Sequence, residues 1–213
     1  MRFGFVGLIL AVLCSVASAA AIVNGGFEVD GGAFGSCPET TPTGWTGGSL
    51  CSAGFYGATP PEGSHFAIIG GGGDFPSLSL SQAITGLTIS NSYTVTFYLG
   101  GENWHSSTTE QVQVSMLSGS STGSQTYSAP HSTCNGCFGS SGLWTNWTAF
   151  TYSFLATGTS AQIRFMNVSS SADDTGIDNV SIAAASTGVP EPSTLALLGA
   201  GLGSLALFRR RRR

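Results

Sequence analysis

The chain has 213 residues, 8 % of them charged, 41 % hydrophobic and 31 of them glycine. It has no lysine, and its seven basic residues are Arg2, Arg164 and Arg209 to Arg213, so only Arg164 lies away from the chain ends. Over 21–188 that one arginine stands against ten carboxylates, a net of −9, which excludes nucleic acid as a partner, argues against docking on anionic lipid and permits divalent cations and neutral glycans.

The N-terminus reads "MRFGFVGLILAVLCSVASAA". Arg2 supplies a positive start, an apolar run follows, and Ala17, Ser18 and Ala19 place small residues where a signal peptidase reads. Residues 1–19 are expected to be a signal peptide cleaved after Ala19 or one residue later. The run is short for a retained anchor. Leu13 before Cys14 argues against a lipoprotein signal, which needs a small residue there.

Runs with strand character follow, separated by Gly, Ser, Thr, Asn and Pro. They are "AAIVNGGFE", "SHFAIIG", "SLSLSQAI", "SYTVTFYLG", "QVQVSML", "AFTYSFL", "AQIRFMNV" and "GIDNVSIA". Alternation puts Tyr93, Val95, Phe97 and Leu99 on one face, and likewise Val112, Val114 and Met116, and Phe150, Tyr152 and Phe154. About eight strands and no helical periodicity predict an all-β, two-sheet antiparallel sandwich over 21–185, specifically a jelly roll. "SGSSTGSQ" and "SSSADDTG" read as loops, and "AAASTG" as the linker that opens 186–213.

Four cysteines remain after signal removal, an even number in an exported chain, which reads as two disulfides. Of three pairings the local one is expected, Cys37–Cys51 with Cys134–Cys137. "HSTCNGC" also permits half a zinc site from His131, Cys134 and Cys137. A redox role for C-x-x-C needs a strand-to-helix setting that the flanking loop sequence lacks.

The pieces "IVNGGFE", "TGWT", "PPEGSHFAIIGG", "LSQAITGLTISNSYTVTFYLGG" and "GIDNVSIA" span most of 22–183. Together they resemble the galactose-binding-like jelly rolls, similar to several carbohydrate-binding modules and to a plant cell-wall family of unknown function. That resemblance implies binding more than catalysis. It also implies a structural calcium where the first and last strands meet, carried here to Glu28 and Asp178, with Asn24 and backbone carbonyls as additions. Strand alternation places Asp178 beside Val180 and Ile182, on a face that should be core, so its carboxylate must be paired, hydrogen-bonded or metal-bound. The plainer reading has Asp178 capping a turn and Glu28 solvated.

Sugar recognition needs aromatic faces. Trp104, in the polar stretch "GGENWHSS", and Trp144 and Trp147, in "GLWTNWTAF", are the candidates, against the plainer reading that each is packing. Trp45 reads as core or edge packing. For catalysis there is no G-x-S-x-G, no H-E-x-x-H and no lysine base. His65, His105 and His131 are scattered, and nothing singles out Glu102 and Glu110 as a glycosidase pair. The body reads as non-enzymatic, with a secreted hydrolase as the lesser alternative.

The C-terminus is "VPEPSTLALLGAGLGSLALFRRRRR". Pro190 and Pro192 keep the start extended. An apolar helix over 194–208 is shorter than the ~20 residues that cross a bilayer core. Arg209 to Arg213 then hold the end on the cytoplasmic side. The triplet Pro190, Glu191 and Pro192, the Gly-containing apolar run and the arginine block together resemble the PEP-CTERM sorting signal of Gram-negative bacteria. The resemblance implies recognition of the triplet by an exosortase, transient anchoring in the inner membrane, and delivery to the cell surface or exterior in bacteria that make exopolysaccharide. The reading is therefore an exported envelope or matrix protein associated with exopolysaccharide. A structural coat or biofilm component without a discrete ligand is the alternative.

Overall fold

Side chains alternate across a strand, so a strand buried on one face reads apolar at every second position. In the computed structural model, which describes residues 19–70, 75, 77–102, 109–130, 144, 147–169, 174–185 and 199–202, β5 (Ser92–Gly101) follows that rule. Tyr93, Val95, Phe97 and Leu99 all enter the main core. β6 (Gln111–Ser118) contributes Val112 and Val114, with Met116 partly buried, and β8 (Thr148–Leu155) contributes Tyr152 and Phe154, with Phe150 beside them.

Among the described residues ten strands form two five-stranded sheets, in which every pairing is antiparallel. The first sheet has the order β1 (Thr46–Gly47), β4 (Ser79–Thr85), β9 (Ser160–Asn167), β6 and β7 (Gln125–Ser128). The second has β2 (Ser49–Ser52), β3 (His65–Ile69), β10 (Thr175–Ala184), β5 and β8. From β3 onward the chain changes sheet at every connection except β6 to β7, which is the winding of a jelly-roll sandwich. Phe165, Ile163, Leu80 and Ile84 of the first sheet meet Phe97, Leu99, Ile69 and Ile177 of the second, all with no exposed surface. Each such side chain contributes roughly 1.5–3 kcal/mol by leaving water.

Two expectations are corrected. "AAIVNGGFE" is not a strand: it makes one isolated bridge, Ala21 to Thr85, and then turns, with Asn24 at φ 50° and Phe27 at φ 58°. The stretch around Trp45 and Cys51 holds two short strands, and "QTYS" adds β7 on the edge of what reads as loop.

Cys37 and Cys51 are disulfide-bonded across 14 residues, as expected. Cys134, Cys137 and His131 lie outside the described residues, as do the signal segment 1–18 and most of the tail. Residues 199–202 are helical. Among the described residues no helix is long and apolar enough to cross a membrane.

Candidate functional site

β10 runs through the middle of the second sheet, and its register slips between Asp178 and Ser181. Asn179 takes φ 48° at that bulge. The extra residue resets the alternation: Ile177 and Val180 both enter the core, so Asp178 does not share the face of Val180. It points instead under the loop that precedes β3, where it is fully buried. Its Oδ2 accepts the backbone N–H of Glu62 at 3.0 Å and its Oδ1 that of Asn179 at 2.6 Å. Burial pushes its pKa up to about 7. The two N–H bonds oppose that rise, and the charges of Glu62 and Glu28 add to it. Arg164, the one cation that the sequence offers as a partner, lies on β9 of the other sheet.

Glu28 is brought to the same loop. Its Oε1 accepts the N–H groups of Ser64 and His65 at 2.7 and 2.6 Å. Its Oε2 accepts the Ser64 hydroxyl and faces His65 Nδ1, both at 3.1 Å. Gly63, at φ +58°, makes this approach possible: a Cβ there would lie 2.3 Å from the Glu28 carboxyl carbon. Burial raises the Glu28 pKa, but the bonds from His65 and Ser64 outweigh it and hold the carboxyl below its ordinary value.

Glu28 and Asp178 thus both bond the loop before β3, and Glu62 of that loop, which the sequence reading did not select, adds its charge to that of Glu28 at Asp178. Its signal was the acidic residue just before β3, in "PPEGSH", beside a loop folding back over β10. Asn24 does other work. Its amide donates to the Thr43 carbonyl and to Asp30 Oδ2, and its oxygen accepts the N–H of Val29. Asp30 in turn accepts the Thr43 N–H and hydroxyl. Among the described residues no three His, Cys, Asp or Glu side chains are grouped so as to hold a metal ion.

The Ser64, His65 and Glu28 trio is not a nucleophile–base–orienter relay. Serine and carboxylate both address Nδ1, whereas a relay needs them on opposite ring nitrogens. Nε2 is buried without a partner.

On the outer face of the second sheet, Trp144 is buried and Trp147 half-buried. Their rings lie 6.0 Å apart and nearly parallel, and Phe66 sets its edge against both. With Cys51, Ile68 and Phe75 they form a second small core. Both rings are packing elements in this arrangement. Trp45 is core, against Phe27 and Phe165. Trp104 lies outside the described residues, as do Pro190, Glu191 and Pro192.

The residues that decide the tail's nature are those of its sequence, the Pro-Glu-Pro triplet, apolar run and arginine block. Residues 188–213 are a PEP-CTERM protein-sorting motif. The sorting motif implies export, processing by an exosortase, and a surface or extracellular destination. No curated protein matches the chain. Solved structures similar to it include one described as "CBM4 structure and function", 19 % identical, covering 77 % of this chain and 99 % of that one, with a TM-score of 0.44. Another is TmCBM61 in complex with β-1,4-galactotriose, 16 % identical, covering 77 % and 97 %, with a TM-score of 0.47. A cleaved adhesin domain of Lys-gingipain from Porphyromonas gingivalis is 16 % identical, covering 68 % and 93 %, with a TM-score of 0.47.

Proposed function

We propose that the chain is an exported, non-enzymatic envelope or matrix protein whose β-sandwich associates with exopolysaccharide after an exosortase processes its tail. The observation that carries this reading is the sorting motif at 188–213 behind a sandwich of two sheets. The net of −9 over 21–188 fits a glycan better than a nucleic acid.

A calcium ion belongs to the proposal. Asp178 and Glu28 would hold it, with backbone carbonyls and water completing a shell of oxygens. Two observations support it. Asp178 is buried where the charges of Glu62 and Glu28 are felt, and the donors on offer are oxygens, which suit this hard cation. A competing reading, a coat component without a discrete ligand, draws its support from Trp144 and Trp147, which pack on the sheet and on each other.

The test is co-sedimentation of the full chain with the exopolysaccharide of the bacterium that makes it, in calcium and in chelator. The expected result is saturable binding, weakened by chelator, with a melting temperature that chelator lowers. Absence of binding in both conditions favours the coat reading, and an unchanged melting temperature removes the calcium.

A further inference from the structure

The first sheet differs from the second in what its outer face carries. The strands β1, β4, β6, β7 and β9 contain no Asp or Glu, yet β9 holds the only basic residue of the exported body. Register sets Thr46, Ser81, Arg164 and Ser115 in one row across β1, β4, β9 and β6. Gln113 and Gln162 stand in the rows on either side. The opposite faces of these strands point into the core through Leu80, Ile84, Val112, Val114, Ile163 and Phe165. The row is therefore the outward one. The aromatic cluster of Trp144 and Trp147 covers the second sheet, not this one.

Among the described residues Arg164 has no partner. Its Nε and the Ser115 hydroxyl are both buried without a hydrogen bond, and no carboxylate pairs with the guanidinium. Ser115 itself is 8 % exposed. Arg164 as a whole is half-buried, with Nε sealed from solvent. With Nε covered and part of the residue exposed, the outer edge of its planar fork is the part a ligand would meet. Such a fork matches a carboxylate with two parallel N–H···O bonds. Among the described residues Glu28, Glu62 and Asp178 lie at the second sheet and the loop before β3, while Glu110, just before β6, takes a bond from Asn167 at the end of β9.

We propose that the outer face of the first sheet binds an acidic polysaccharide, Arg164 gripping one uronate carboxylate while Thr46 of its row and Gln113 and Gln162 of the flanking rows take sugar hydroxyls. This deepens the glycan reading above and rests on it. The net of −9 over 21–188 opposes a polyanion taken up by the sandwich as a whole, so the grip belongs to these acid-free strands, where a single cation among amides fits a ligand with one charge per sugar. A nucleic acid or a densely sulfated chain needs several cations in line.

Galacturonate oligomers and their methyl esters are the probes, since the ester keeps every hydroxyl and removes only the charge. Calorimetric titration of the full chain should show binding of the acid and, for the ester, a loss of about tenfold or more in affinity. Arg164→Gln should abolish the preference for acid over ester. Arg164→Lys, which keeps the charge but not the fork, should retain part of it. The lysine variant also keeps the test alive if the glutamine variant does not fold. Equal affinity for acid and ester, or a preference unchanged in Arg164→Gln, overturns the inference while leaving the glycan reading in place. Failure to bind the acid, its ester and the native exopolysaccharide overturns both.

Discussion

Asp178 is a carboxylate held where its charge is costly. The folded chain keeps a proton on it up to about pH 7, whereas the ordinary value is 3.8. Between those values the folded state binds more protons than the unfolded one, so this residue's effect on stability turns unfavourable as pH rises across that window. The slope is at most about 1.4 kcal/mol per pH unit. Glu28 acts in the opposite sense. Its depressed pKa contributes stability above the ordinary carboxylate range and loses it as pH falls below. The two effects occupy different windows. In chelator, the melting temperature of the wild type should fall relative to Asp178→Asn between about pH 4 and 7. A difference between the two that is constant over that window would show that Asp178 is ionised throughout.

At the scale of elements, alternation was readable wherever a strand ran regularly. Tyr93, Val95, Phe97 and Leu99 face inward as their spacing says, because period two leaves no other face for four apolar side chains. Asp178 was misplaced because a bulge shifts the alternation by one residue, and "GIDNVSIA" carries no mark of it beyond an Asn, a residue that tolerates φ > 0. Glu62 was missed for another reason: its partner Asp178 is 116 residues away, and no local pattern records such a meeting. The small core on the second sheet was hidden likewise, since its glycines speak only through what rests on them. A Cβ on Gly176 of β10 would lie 2.5 Å from the Trp147 ring and 2.9 Å from that of Trp144. Gly176→Ala should therefore cost about 1–3 kcal/mol by overpacking, seen as a drop in melting temperature of about 2–4 °C per kcal/mol. Trp147→Ala removes the nearer ring, so adding it to Gly176→Ala should cost less than the two losses summed. Full additivity would mean that the ring does not rest on the glycine.

The whole molecule divides its charge by destination. Its sandwich is acidic, with one arginine on one sheet, and its last five residues are all arginine. The sorting motif at 188–213 implies export, and in the proposed reading an arginine block after an apolar run would stay on the cytoplasmic side with the sandwich outward until the tail is processed. The disulfide between Cys37 and Cys51 suits the same oxidising side of the membrane. The tail is where sequence alone was most informative, because a peptidase and a translocation machinery read residues in order and need no fold. Glu191 is the charged member of the triplet, and proline on either side disfavours helix, whereas a peptidase binds an extended strand. Glu191→Ala should therefore block processing. Expressed in the bacterium that makes it, the wild type should yield a mature mass lacking Arg209 to Arg213 and fractionate with the surface or the medium. The variant should keep the full tail and stay with the inner membrane. A wild-type protein that retains the arginine block, or a variant cut as efficiently as the wild type, would remove the triplet from the recognition step.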